Sequence, residues 1–270
     1  MTADPDGPGP APADESSHDA VPRPGPGRGQ RGALWVGALG GAIAWFMLGD
    51  LPVAARIWTA ILLAPLPAAV SAQHRLVTDP ASLPRVPVYM SSIISLWAMA
   101  LITTLVTRAS GFVAADLGIA SIGILPGVAW AAGATAAGMA IVFAAHAMNI
   151  GTTALLEAVI PRTAHEKSVF AGLSITAGVC EELVFRGFLI LTIATASGSI
   201  ALAALLSTVV FGWMHTYQSI KGAAGAGLLG AILVVPVLVT GSILPSIAAH
   251  AAIDILAGII FAPALYGRLA

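Results

Sequence analysis

Charge is what this chain has least of. Only 9% of its 270 residues are Asp, Glu, Lys or Arg, where an ordinary soluble domain carries about 25%. Twelve basic and 13 acidic side chains cannot cover the water-facing surface of a globule this size. Eight of those 25 lie in the first 31 residues. That scarcity excludes a soluble enzyme. A net charge of −1 also leaves nothing to hold a polyanion, so no nucleic-acid partner is expected. Cysteine is nearly missing as well. Cys180 stands alone, which rules out an intrachain disulfide and a cysteine cluster for zinc. What is present is 57% hydrophobic, with a mean hydropathy of +0.90. The length suits about eight membrane helices of roughly 20 residues. The expected fold is all-α, a polytopic transmembrane helical bundle.

Residues 1–32 have a different composition. Pro5, Pro8, Pro10, Pro12, Pro22, Pro24 and Pro26 alternate with glycines and acidic residues, with almost nothing apolar to offset the entropy of ordering, so a disordered tail is expected. It lacks the basic start and short apolar run of a secretory signal, and the apolar run from Ala33 is read as a retained membrane segment. Residues 33–270 then form the bundle. Length and breakers predict spans at 33–49, 51–72, 87–107, 122–148, 168–194, 199–217, 222–241 and 243–265. The second contains Pro52, Arg56, Pro65 and Pro67 and is expected to be kinked, tilted or partly interfacial. Gly37 and Gly41 fit the small-residue packing pattern, read here as ordinary close packing.

Basic residues test the spans independently. With a cytoplasmic N-terminus, Arg23, Arg28, Arg31, Arg75, Arg85, Arg162, Lys167, Lys221 and Arg268 all fall on the cytoplasmic side, and Arg108 alone falls opposite. This positive-inside bias predicts a multi-pass protein of the cell membrane with both termini cytoplasmic.

An ionisable group near the bilayer centre costs about 2.5–3.5 kcal/mol on insertion scales, so such groups face the bundle interior and tend to be functional. The last four predicted spans carry Glu181, Glu182, Arg186, His215, His250 and Asp254. Earlier spans have far fewer, with Arg56 the clearest. Glu182 and Arg186 are four apart and meet on one helix face in the favourable order. Phe211 and His215, and His250 and Asp254, share that spacing. Glu181 lies about 100° round the helix from Glu182, so one carboxylate is expected to face a cavity while the other pairs with Arg186. Each piece has a bland explanation: an ion pair, a helix-bridging histidine, a packing pair or a proton path. Their joint occurrence on three helices favours a site. His74, His146, Glu157 and His165 lie near span ends or loops, where a solvated structural role is expected.

These residues carry a resemblance. Glu181-Glu182-Leu183-Val184-Phe185-Arg186 resembles the Glu-Glu-x-x-x-Arg motif of the CPBP family of intramembrane proteases, also called CAAX protease or Abi. Phe211 to His215 is similar to its Phe-x-x-x-His motif, and His250 to Asp254 to its His-x-x-x-Asn/Asp motif. All three occur in the family's order, and the resemblance runs over about 117–262, beginning near Asp116-Leu117-Gly118.

The resemblance implies an endopeptidase built from membrane helices around a polar cavity; eukaryotic members remove the last three residues of prenylated proteins. Carried over, Glu181 would be the base that activates water, helped by His215. Arg186 would hold Glu182, and His250 with residue 254 would stabilise the oxyanion. An ionised Asp254 only accepts hydrogen bonds, so it is expected to orient and charge His250 instead. The substrate expected is a hydrophobic or membrane-tethered peptide reached from the membrane or the cytoplasmic side. The family has been described both as glutamic proteases and as metalloproteases. Zinc could be held by two histidines plus an acid, but no His-Glu-x-x-His motif is present, and hydrolysis without a cofactor is favoured. A catalytically silent immunity or scaffold protein, and a proton-coupled carrier, are the alternatives.

Overall fold

The computed structural model describes residues 28–73, 79–148 and 154–267. Every regular element among these residues is helical. Most of the expected tail, residues 1–27, and His74, Arg75 and Arg268 lie outside the described residues.

Helix α1 (Arg28–Met47) begins five residues before the first predicted span. The second predicted span is two helices, α2 (Val53–Leu63) and α3 (Pro65–Gln73). The break falls at Ala64, with φ −145° and ψ −54°, because the ring of a following proline crowds a helical conformation. Then come α4 (Arg85–Ala109), α5 (Ile124–Ala147) and the short α6 (Ala154–Ala158). Next, α7 (Ala164–Glu181) runs through a π-helical stretch, Glu182–Leu189, into α8 (Ile190–Ser197). After α9 (Ile200–Met214) a 3₁₀ turn, Thr216–Gln218, leads to α10 (Ile220–Thr240). The last described elements are α11 (Leu244–Ile255), a π turn at Leu256–Ile260 and α12 (Ala262–Tyr266).

Each of the eight predicted spans is thus helical. Among the described residues, four stretches are long and apolar enough to cross a membrane: Val53–Ala72, Arg85–Ala109, Ile124–Ala147 and Ile220–Thr240. The apolar helices Ile200–Met214 and Leu244–Ile260 are shorter. Fifteen residues at 1.5 Å each reach about 22 Å, less than the hydrocarbon thickness of about 30 Å.

Outward faces are apolar. Trp35, Leu39 and Phe46 on α1, Ile94 and Leu105 on α4, and Ile124 and Leu125 on α5 are all exposed, a surface suited to lipid and far too large for a water-soluble monomer. Inside, Val184, Phe185, Phe188 and Leu189 of the π stretch are buried with Ala55 and Leu62 of α2 and Ala203 and Phe211 of α9. Small residues set the helix spacing. A Cβ on Gly37 or Gly41 would stand 2.6 Å from Ala68 or 2.8 Å from Pro65, so this pair packs α1 on α3 within the chain. A Cβ on Gly178 would stand 2.8 Å from the Ile247 carbonyl oxygen, which marks where α7 and α11 touch.

Candidate active site

The helix carrying the acidic pair has a defined start. Thr163 accepts a hydrogen bond from the Glu166 amide at 3.2 Å, and the Glu166 carboxylate accepts from the Thr163 amide at 2.9 Å, a reciprocal cap. The signal Thr163-x-x-Glu166 is in the sequence, but apolarity alone started the span later. About five turns on, the helix widens at Glu182. Such π stretches are uncommon and gather at functional sites.

Glu182 is the centre of the arrangement. It is fully buried, and its Oε1 accepts from Arg186 Nη1 at 2.9 Å. The same oxygen lies 2.8 Å from His250 Nδ1. Arg186 is equally buried; its Nη2 donates to the Gly230 carbonyl at 3.0 Å, and its guanidinium lies 4.3 Å from the Phe211 ring centroid. A side chain on Gly230 would fill that place, since its Cβ would stand 3.0 Å from Arg186 Nη2.

His250 is held from one side and approached from the other. Its Nε2 lies 3.9 Å from Glu181 Oε2 and 3.8 Å from Asp254 Oδ2, both beyond hydrogen-bond length. The close partner of the imidazole is therefore Glu182. Asp254, four residues on as the spacing predicted, flanks Nε2 instead. Glu181 Oε2 is buried and accepts no hydrogen bond from the protein, which needs an explanation wherever a polar atom is taken out of water.

His215 caps the end of α9. Its Nδ1 lies 2.7 Å from the Phe211 carbonyl oxygen, and a carbonyl only accepts, so Nδ1 carries a proton and Nε2 is the nitrogen left for other partners. The Phe211 ring stands between the two histidines, 4.7 Å from His215 and 6.0 Å from His250 by centroid. His215, His250 and Asp254 line one cavity of about 260 Å³, whose walls are otherwise largely apolar. Glu181 is not among the residues that line this cavity; it reaches the cluster through His250, 3.9 Å away.

Other charged residues sit elsewhere. Arg56 is in the first turn of α2, not at mid-span. Its Nε donates to the Trp45 carbonyl at 2.6 Å and its guanidinium stacks on the Trp45 ring, closing the α1–α2 turn. His146 is exposed in the last turn of α5 yet lines the cavity, which its position near a span end did not suggest. His165 is exposed at the start of α7 and Glu157 lies in α6. Among the described residues, no three His, Cys, Asp or Glu side chains are grouped so as to hold a metal ion.

A helical membrane bundle with a buried acid–histidine cluster against an apolar cavity has the construction of a membrane-embedded hydrolase. Residues 164–256, about a third of the chain, match the family model described as type II CAAX prenyl endopeptidase Rce1-like, so this part of the chain is similar to CAAX protease-type domains. The match holds all six site residues and supports intramembrane endopeptidase activity in general. No curated protein and no solved structure matches the chain.

Proposed function

We propose that the protein is an intramembrane endopeptidase that hydrolyses a hydrophobic or membrane-tethered peptide, with Glu181 as the base. The observation that carries this is the buried Glu181 Oε2, unpaired within the protein and 3.9 Å from a histidine whose other nitrogen is pinned. In this reading the attacking water enters between the two atoms, within about 2.8 Å of each.

Glu181 takes a proton from the water, helped by the lone pair on His215, and the resulting hydroxide adds to the scissile carbonyl. The new oxyanion is met by His250 Nε2–H. With Nδ1–H given to Glu182, that donor exists in the imidazolium form, and Asp254 and Glu182 balance its charge. One well-aimed donor of this kind is worth about 3–4 kcal/mol in the transition state. Collapse breaks the C–N bond, and the proton on Glu181 passes to the leaving amine. Glu182 and Arg186 do not touch substrate; they hold His250. The working core reaches back to Leu117, whose carbonyl lies against Gly187. The mechanism needs no metal, and both termini face the cytoplasm in keeping with the distribution of basic residues.

The test is cleavage of a hydrophobic peptide by protein reconstituted in lipid, comparing wild type with Glu181→Ala. Turnover in the wild type and none in the variant is expected; equal turnover would remove Glu181 from the mechanism. Metal analysis of the active protein, with and without His215→Ala, tests the cofactor.

A further inference from the structure

We propose that Ser71 of α3 is a positioning residue for His215, so that the N-terminal helices outside the family match form part of the working site. The inference rests on the protease reading for its catalytic consequence, but on geometry alone for the positioning. His215 sits where α9 has ended, with φ −96° and ψ 9°. The strap that follows reaches Ser219 at φ 125°, a conformation that non-glycine residues hold only when their surroundings fix it. A histidine on such a strap needs anchors on both sides.

Ser71 supplies them. Trp213, two residues before His215, donates from Nε1 to Ser71 Oγ at 3.0 Å. Thr216, the residue after it, places Oγ1 2.6 Å from the same Ser71 oxygen. Thr216 Oγ1 also lies 2.9 Å from the Trp213 carbonyl; with the Ser71 proton given to the Pro67 carbonyl, the one proton of Thr216 is shared between Ser71 Oγ and that carbonyl, closing a ring of polar contacts around the histidine's backbone. Ser71 Oγ is itself directed by the Pro67 carbonyl at 2.8 Å, one turn earlier in α3. One hydroxyl from a helix more than 140 residues away thus ties down residues on both sides of His215. The ring then takes its direction from the Phe211 carbonyl. With the clamp released, the imidazole loses its fixed approach to the cavity, and misplacement of about 1 Å can cost about 100-fold in rate.

The experiment uses the full chain in lipid, as wild type, Ser71→Ala and Ser71→Thr, which keeps the hydroxyl. Two readouts are taken: modification of His215 by diethyl pyrocarbonate, followed by mass spectrometry with exposed His165 as internal reference, and peptide cleavage. Ser71→Ala is expected to raise His215 modification about tenfold and lower kcat by a similar factor with KM unchanged; Ser71→Thr is expected to restore both. Wild-type modification in Ser71→Ala overturns the proposal. If that variant does not fold, Thr216→Val breaks the clamp from the other side, and the same two results decide. A changed His215 with no peptide cleavage by wild type sinks the protease reading and keeps the clamp. Normal cleavage with an unchanged His215 does the reverse.

Discussion

Glu182 Oε1 lies 2.8 Å from His250 Nδ1, and the same oxygen holds Arg186 Nη1 at 2.9 Å. A single buried oxygen thus joins a guanidinium on its own helix to an imidazole on another. Removing one partner of a buried ion pair leaves the other charge uncompensated and costs about 3–5 kcal/mol. Glu182→Gln is expected to lose stability of that order in detergent unfolding, together with activity. Glu182→Leu with Arg186→Met is expected to regain much of the stability and none of the turnover. Activity in that double variant would show the pair to be scaffolding only.

Asp254 reaches His250 from the opposite edge, 3.8 Å from Nε2, with its side chain about one-third exposed to the cavity. If it balances charge on the ring, Asp254→Asn keeps the shape and removes the anion. A charge pair at about 4 Å is worth a few kcal/mol at most in a partly wetted site. The expected outcome is a drop of tenfold or more in kcat/KM and a changed pH–rate profile, with thermal stability kept. Full activity with an unaltered profile would assign Asp254 no part in the reaction.

The six candidate residues stood out in the sequence because an ionisable group inside an apolar span is costly. Spacing alone placed Phe211 beside His215 and Glu182 beside Arg186. The partner of His250 was not legible. Helical spacing pointed to Asp254, four residues on, whereas the contact with Glu182 depends on how closely two helices approach. The widened turn at Glu182 leaves no mark on hydrophobic patterning either. The break at Ala64 was foreshadowed by Pro65. The clamp at Ser71 was invisible, because serine in an apolar helix is common and only the fold brings it to Trp213.

The start of α7 is expected to respond to acid. Backbone amides of Thr163 and Arg162 donate to the Glu166 carboxylate, with Arg85 3.6 Å away, and hold its carboxyl below the usual range. Because the folded value lies below the unfolded one, this stabilisation is complete above about pH 4.3 and is lost as pH falls through the folded value. Glu166→Gln is expected to cost about 1 kcal/mol or less at pH 7, since the amide oxygen can still accept from the two backbone amides. Its melting temperature is expected to converge on that of the wild type in acid. A gap that persists unchanged down to pH 3 would show that the carboxylate's charge plays no part.

The approach of α7 to α11 at Gly178 is what brings Glu181 and Glu182 within reach of His250. A Cβ there would meet backbone on α11, the Ile247 carbonyl oxygen at 2.8 Å and the Ala251 amide nitrogen at 3.1 Å, and backbone cannot rotate aside as a side chain can. Gly178→Val forces the helices apart, with an overpacking cost of about 1–3 kcal/mol. Its effect on turnover is expected to exceed its effect on stability, because Glu182 would leave His250 while the rest of the bundle stays packed. Gly172, one and a half turns earlier in the same helix, has nothing within 4 Å of its Cβ position. Gly172→Ala is therefore expected to be neutral or slightly stabilising, through helix propensity alone. Peptide cleavage and unfolding measured on the two variants side by side separate helix spacing from helix composition; equal activity in both would mean that the acid–histidine contact does not depend on that crossing.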